Sequence, residues 1–99
     1  MALTDDQTLR RKILSLLYAA WKMRGKDGFL SQSELVKDTG AKPIAVARNL
    51  DLLCDLGLVE DLLSVGARFV RLTPQGILKC EKEGIEPDEL LLRWRASPH

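Results

Sequence analysis

Apolar residues recur at helical spacing near the start of the chain. Thr4 and Gln7 have the spacing of a capping box, which is typical of a helix N-terminus. A broad apolar face follows, formed by Leu9, Ile13, Leu16, Leu17, Ala20 and Trp21. Gly25 is well suited to end the segment. The pattern predicts a first helix over about residues 5–24 and a turn at residues 25–28.

A second, short helix is predicted between Ser31 and Gly40. Ser31 and Glu34 again have capping-box spacing, and Gly40 suits a helix end. Just before this segment, Phe29 and Leu30 form a two-residue apolar run that predicts a very short strand.

The third predicted helix organises the rest of the chain. Pro43 suits its first position, because the missing N–H of proline would have no helical partner there. One apolar stripe runs along it, formed by Val46, Leu50 and Leu53. Gly57 follows as a stop. Only two residues separate Gly40 from Pro43, and so short a connection between two short helices is typical of a helix-turn-helix.

Extended apolar segments follow this helix. Residues 58–63 predict one strand and residues 68–72 its antiparallel partner, with residues 64–67 turning between them. Side chains alternate along a strand, so Phe69 shares the face of Arg71 and points away from the predicted core.

Two further helices are predicted at the C-terminal end. Thr73 and Pro74 form a cap followed by proline, and that helix ends at Gly84. A last helix is predicted over about residues 87–95. It has more apolar surface than one small core easily absorbs, and we predict that Leu90, Leu91 and Trp94 form a homodimer interface; docking within one subunit is the alternative.

Composition places the chain among ordinary globular proteins. Its 99 residues suit one domain, predicted over residues 1–99 with a core at about 5–84, and 45% are hydrophobic and 29% charged. The net charge of +1 creates no strong attraction for a polyanion. No apolar run approaches the roughly 20 residues that cross a bilayer, and the acidic Asp5 and Asp6 do not suit a secretory signal. We therefore predict a cytoplasmic protein with no membrane contact.

Catalytic chemistry finds little support in the sequence. The only histidine is His99, near the terminus, so neither a triad nor a histidine-based metal site can be assembled in the core. No glycine-rich phosphate loop occurs. Cys54 and Cys80 are far apart and favour reduced thiols, with a disulfide as the alternative. We predict no enzyme activity, no metal and no cofactor.

The order of elements resembles the winged helix-turn-helix family. The likeness rests on the spacing of the third helix, on Gly57-Leu58-Val59-Glu60, and on the segment from Arg71 to Gly76, which reads RLTPQG. A similar helix running into Gly-Leu-Ile/Val, and a strand running into Leu-Thr-x-x-Gly, occur in the multiple-antibiotic-resistance-type and phenolic-acid-type regulators. The resemblance implies an α+β, mainly helical fold: a three-helix core, a wing hairpin of two or three strands, and additional C-terminal helices.

The resemblance further implies a regulator of transcription that binds double-stranded DNA as a homodimer. The third helix would lie in the major groove, with the hairpin beside it on the backbone or minor groove. Carried over by position, the DNA-contacting residues are Lys42, Ile44, Ala45, Arg48, Asn49, Arg68 and Arg71. Arg48 and Asn49 have suitable chemistry for base edges, whereas Lys42, Arg68 and Arg71 suit phosphates.

One feature of the same segment favours a protein partner instead of DNA. Between Lys42 and Leu72, four cationic and four anionic side chains cancel. The outward positions of the third helix include Ile44, Ala45 and Ala47, where DNA-reading helices of this family usually present polar or basic residues. Ile44 and Leu52 either pack on the second helix or form a partner surface. The alternative function is therefore a winged-helix module for protein–protein interaction.

Overall fold

The structure, a computed structural model, describes residues 5–64 and 66–88 and contains helices and a small sheet. The helices are α1 (Asp5–Arg24), α2 (Gln32–Thr39), α3 (Pro43–Asp55) and α4 (Pro74–Glu83), with a 3₁₀ turn at Gly25–Asp27. The strands are β1 (Leu30–Ser31), β2 (Val59–Ser64) and β3 (Ala67–Leu72). This arrangement confirms the predicted α+β, mainly helical class.

Local capping signals set the bounds of the helix-turn-helix. The Ser31 side chain accepts a hydrogen bond from the Glu34 backbone N–H at 3.1 Å, and the Glu34 carboxylate accepts one from the Ser31 N–H at 2.9 Å. Gly40 ends α2 at a φ of +72°, in the left-handed region that glycine enters without a side-chain clash. Pro43 occupies the start of α3. These features confirm the predicted capping box, helix end and proline start.

The apolar stripe of α3 faces the core as predicted. Val46 and Leu50 are fully buried, and Leu53 is 2% exposed. The helix ends at Asp55, and Gly57 then turns the chain at a φ of +75°. Leu58 then leads into β2, so three residues separate α3 from the sheet.

The sheet has three antiparallel strands in the order β1-β3-β2. We refer to the β2–β3 hairpin as the wing. Its register pairs Val59 with Leu72 at the base and Ser64 with Ala67 at the tip. Two residues therefore join the strands, not the four predicted, because pairing continues further toward the tip than composition indicates. The short strand is at Leu30–Ser31, one residue later than predicted.

Helix α1 passes through the centre of the molecule. Its predicted apolar face is buried except for Trp21, which is half-buried, and Ile13 and Leu17 have no exposed surface. Leu14 and Tyr18, which lie outside that predicted face, are also buried, at 5% and 6% exposure. Helix α1 is buried on several sides, so it contributes more side chains to the core than one amphipathic stripe predicts.

The chain that follows α4 crosses over α1. Ile85 is buried, and the Ser15 hydroxyl donates a hydrogen bond to the Glu86 carbonyl at 2.7 Å. The Asp88 N–H donates to the Ser15 carbonyl at 3.2 Å, and the Lys12 ammonium pairs with the Asp88 carboxylate at 2.6 Å. This crossing segment attaches the C-terminal part of the described chain to α1.

The predicted C-terminal helix falls almost entirely outside the described residues. Pro87 and Asp88, its predicted first residues, have no regular secondary structure. Leu90, Leu91 and Trp94 lie beyond them, so the predicted dimer contacts stay a prediction. Across residues 5–64 and 66–88, none of the helices combines the length and the apolar character that crossing a membrane requires.

Candidate nucleic-acid interface

The first turn of α3 is the most open part of the predicted DNA-contacting surface. Lys42 precedes the helix and is exposed, and Ile44 is 72% exposed. Ile44 therefore does not pack away against α2, which was one of its two predicted alternatives. Within the described ranges, no ion-pair partner accompanies the Lys42 ammonium. This turn presents a free cation beside an exposed apolar side chain.

The prediction that Asn49 faces outward is wrong. Asn49 is 1% exposed, and its amide is fully engaged within the subunit. Nδ2 donates to the Ala45 carbonyl at 2.8 Å and to the Asp6 carboxylate at 3.0 Å, while Oδ1 accepts from Arg10 Nη1 at 2.9 Å. Asn49 therefore joins α1 to α3 and is not available to a base edge.

The helical spacing of α3 contains the signal for this burial. The buried residues of α3 are Val46, Asn49, Leu50 and Leu53, an i, i+3, i+4, i+7 pattern. The polar chemistry of Asn49 favoured an outward position, but the spacing favoured the core. Ala45 was likewise predicted to face outward, yet it is half-buried and packs against the core. Its small side chain sits one turn before Asn49, at the boundary of the buried face.

Arg48 remains on the outer side of α3, where it pairs with α1. Its Nη2 donates to Asp6 Oδ1 at 2.7 Å, and the side chains of Arg48 and Asp6 are 59% and 45% exposed. Hydrogen bonds from Arg48 and Asn49 hold the pKa of the Asp6 carboxyl below its ordinary value. Asp6 is therefore ionised at neutral pH and forms an exposed ion pair with Arg48.

Arg68 is enclosed between the wing and α3. Its Nε donates to Asp61 Oδ1 at 2.9 Å, and its Nη2 donates to Asp51 Oδ1 at 2.9 Å and Asp61 Oδ2 at 3.1 Å. The Arg68 side chain is 20% exposed. The hydrogen bonds that Arg68 donates to Asp61, with a further contribution from Asp51, raise the pKa of Arg68 above its ordinary value. Two carboxylates therefore hold this guanidinium as a bridge between β3, β2 and α3.

Arg71 is held on the opposite face of the sheet. Its Nη2 donates to Glu60 Oε2 at 3.0 Å, across the register pair that joins β2 and β3. Its Nη1 donates to the Lys26 carbonyl, and its guanidinium carbon lies 5.1 Å from the centroid of the Phe29 ring. Phe69, on the same face, is half-buried. These contacts connect the wing to the turn after α1.

A groove separates the start of α3 from the wing. Its volume is about 390 Å³, and it is open to solvent. The residues that line it are Gln32, Ser33, Val36, Pro43, Gly66, Ala67 and Arg68. A strand of polymer backbone laid in this groove would contact the first turns of α2 and α3 together with the wing tip.

Charge on the interface is balanced by pairing within the subunit. The guanidinium groups of Arg48, Arg68 and Arg71 each contact at least one carboxylate. The opposite charges that nearly cancel in the sequence therefore also form ion pairs with one another in the structure. Of the predicted cationic contacts, Lys42 alone lacks an ion pair among the described residues.

The two cysteines occupy different surroundings. Cys80 is fully buried, and burial raises the pKa of its thiol to about 11. Cys54 is half-buried beside the Arg68 cluster, where burial and the neighbouring Asp61 carboxylate raise the pKa of its thiol. Both are free thiols.

Over the described part of the chain, no group of three or more His, Cys, Asp or Glu side chains is arranged to hold a metal ion.

Sequence reasoning missed Asp6 and Arg10 as parts of this surface. Neither residue was predicted from the sequence to contact α3. Their partners are Arg48 and Asn49, about forty positions further along the chain. No local spacing links these residues, so only the packing of α1 against α3 brings them together.

The chain was compared with proteins of known sequence and structure. By sequence, it matches no protein-family model and has no significant match among curated proteins. By structure, it is similar to a mutant of Lactococcus lactis ZitR in the apo form, with a TM-score of 0.63 and 14% identity. That superposition covers 81% of this chain and 57% of the ZitR chain.

Escherichia coli MarR is a second structural neighbour. A MarR mutant complexed with operator DNA superposes with a TM-score of 0.53 and 24% identity, covering 78% of this chain and 61% of the MarR chain. Wild-type MarR in the apo form has the same TM-score and identity and is covered over 63% of its length. This chain thus spans about three fifths of either neighbour. Its helix-turn-helix, three-stranded sheet and wing together form a winged helix-turn-helix fold of the MarR type.

Proposed function

We propose that this protein is a winged-helix regulator of transcription that binds double-stranded DNA and catalyses no reaction. The start of α3 carries the proposal: Lys42, Ile44 and Arg48 project from a helix-turn-helix flanked by a wing. The operator DNA complexed with the structural neighbour MarR supports this assignment. In this geometry α3 enters the major groove, and the wing lies over the adjacent backbone.

The proposed contacts have distinct roles. Lys42 stands at the N-terminus of α3, where its ammonium and the positive end of the helix dipole attract the same phosphate. Arg48 projects one turn further along and suits a guanine edge or a phosphate. Ile44, between them, suits apolar contact with a thymine methyl group. Arg68 and Arg71 contribute positive potential at the wing while retaining their structural partners.

We propose a homodimer, because one subunit offers few phosphate contacts. Each neutralised phosphate contributes a slope of about 0.9 to the dependence of affinity on salt, and four cations per subunit would give roughly 3.6. Two subunits double that contribution and match the two half-sites of a palindromic operator. Leu90, Leu91 and Trp94 remain the proposed dimer contacts. Sedimentation of the intact chain at high concentration, giving a monomer mass, would contradict the dimer.

Fluorescence anisotropy with a labelled random-sequence duplex, measured over a salt series, tests the function. Lys42→Ala should weaken binding and lower the salt slope by about 0.9 per subunit. Lys37→Ala is the matched control, because Lys37 is an exposed lysine in the last turn of α2 and is not one of the proposed contacts. Absence of binding by the unmodified protein at low salt would contradict the proposal.

The neutralised charge supports a second candidate function, a protein–protein interaction module. Ile44 is 72% exposed on an element where opposite charges are already paired, and such a surface suits a partner of mixed polarity. The two functions differ in the response to Ile44→Asp. If the surface binds DNA, Ile44→Asp should weaken that binding, because the new carboxylate repels phosphates. If the surface binds a protein, Ile44→Asp should abolish binding of that partner, and neither the unmodified protein nor the variant should bind duplex DNA.

A further inference from the structure

One ion pair of the interface differs from the others in its accessibility. The Arg48 side chain is 59% exposed and its partner Asp6 is 45% exposed. By contrast, the Arg68 and Arg71 side chains are only 20% and 29% exposed. Exposed pairs contribute little to folding because water competes for both charges. The contact between Arg48 and Asp6 can therefore open with little effect on the fold.

The two members of this pair are anchored differently. Within the described residues, Arg48 forms a single hydrogen bond in the pair, through Nη2. Asp6 Oδ1 also accepts a hydrogen bond from Asn49 Nδ2 at 3.0 Å, and the buried Asn49 amide is itself fixed by Arg10 and Ala45. When Arg48 moves away, Asp6 keeps a partner and its position. Arg48 is therefore the mobile member and Asp6 the fixed one.

The chemistry of Asp6 matches that of a competing ligand. A carboxylate and a phosphodiester both offer anionic oxygens to a guanidinium, and bound geometry is similar for the two. Asp6 thus holds Arg48 in the way that a phosphate oxygen would. It also places a fixed negative charge beside the outer side of α3, where DNA would approach.

We propose that Asp6 is a positioning residue that lowers the affinity of α3 for duplex DNA, because Arg48 must leave Asp6 before it can contact the polyanion. This inference rests on the proposed function. It goes beyond that function by assigning to the first helix of the domain a direct influence on the strength of binding. The sequence offers no motif for this role, which follows from the packing of α1 against α3.

Asp6→Asn is the informative variant, because it removes the charge and keeps an oxygen for Asn49. Exposed ion pairs contribute about 0.2–1 kcal/mol, which corresponds to about 1.4- to 5-fold in an equilibrium constant. We therefore expect Asp6→Asn to tighten binding of a labelled random-sequence duplex about 1.4- to 5-fold per subunit at low salt. The gain should diminish as salt rises.

A double-mutant cycle separates the exchange of Arg48 between Asp6 and DNA from a general effect of charge on binding. Asp6→Asn is measured in the unmodified protein and in the Arg48→Ala background. The matched control is Asp55→Asn, because Asp55 is exposed and lies seven residues from Arg48, on the same stripe of α3. Asp55→Asn removes an equal charge without releasing an arginine. We expect the gain from Asp6→Asn to fall, in the Arg48→Ala background, to the size of the Asp55→Asn control effect, while the control effect is equal in both backgrounds.

Each outcome is decisive. An equal gain from Asp6→Asn in both backgrounds, or weaker binding by Asp6→Asn, overturns the exchange while leaving DNA binding intact. Absence of binding by both the unmodified protein and Asp6→Asn overturns the proposed function, and the exchange with it. Thermal denaturation accompanies the titrations. If Asp6→Asn lowers the melting temperature, Asp6→Ser, which also offers a neutral oxygen to Asn49, replaces it in the cycle.

Discussion

Helix α3 and the wing both carry arginine, but they hold it differently. Arg48 on α3 has one carboxylate partner and an exposed side chain. Arg68 on the wing has two carboxylate partners and is largely covered. An arginine enclosed by several acceptors is part of the framework, whereas one with a single exposed acceptor is available to a ligand. Residue type alone does not distinguish the two roles.

The comparison also explains how a nearly neutral surface can still bind a polyanion. Enclosed pairs such as Arg68 with Asp51 and Asp61 contribute little free charge but keep the wing at a defined position relative to α3. Open groups such as Lys42 and Arg48 then supply the exchangeable charge. Net charge counts enclosed and open cations equally, so it underestimates the positive charge that the first turns of α3 can present to DNA.

The largest expected effect on stability belongs to the buried anchor beneath Arg48. Asn49→Ala removes hydrogen bonds to two charged side chains and one backbone carbonyl, and should lower the free energy of unfolding by about 2 kcal/mol. Urea denaturation measures this loss. Unchanged stability together with altered sequence preference would show that Asn49 faces DNA, contrary to the structure.

Arg68→Met should have the next largest effect and lower the free energy of unfolding by about 1–2 kcal/mol. The methionine keeps apolar volume but leaves Asp51 and Asp61 facing each other without a cation. Chemical denaturation of the variant gives the value. Adding Asp61→Asn to Arg68→Met should recover part of the lost stability, because it relieves the repulsion between the two carboxylates. If no stability is recovered, repulsion between the carboxylates is not the cause of the loss.

Gly66→Ala tests the wing tip without altering any charge. Gly66 has a φ of +74°, and a Cβ placed there would meet no atom within 4 Å. The cost is therefore backbone strain alone, about 1 kcal/mol in the free energy of unfolding. Gly66→Asn is the matched control, because asparagine enters the left-handed region more readily and should lose less. Equal losses would indicate a cause other than backbone strain.

Arg48→Met should have the smallest effect on stability and a clear effect on binding. Because the pair with Asp6 is exposed, we expect a melting temperature within experimental error of the unmodified protein. Binding of a random-sequence duplex should weaken, with a salt slope lower by about 0.9 per subunit. A melting temperature lowered as far as in Arg68→Met would remove the distinction between the two arginines.

Much of the fold follows from patterns within a few residues of each other. The Ser31 capping box, the Gly40 helix end, the Pro43 start and the Thr73 cap all appear in the structure where the sequence predicts them. Each of these signals acts over one turn of backbone, so local hydrogen bonding and steric preference are enough to determine it.

The candidate site was predictable only in part, because its side chains are partnered across the fold. Lys42 and Ile44 are exposed as the pattern of α3 indicates. The burial of Asn49 was predictable from helical spacing, although its polar chemistry argued the other way. The acidic partner of Arg48 was not predictable, since Asp6 is forty-two residues away in another helix.

The sequence by itself determined the order of the helices and strands between residues 5 and 84, their bounds to within a residue or two, and the apolar stripe of α3 that faces the core. Only the tertiary structure decided which cations are enclosed and which are open. The reason is physical: secondary structure depends on neighbours along the chain, whereas the partners of a long charged side chain depend on which elements pack against it. Arg48 and Arg68 differ through those contacts, and the proposed function depends on that difference.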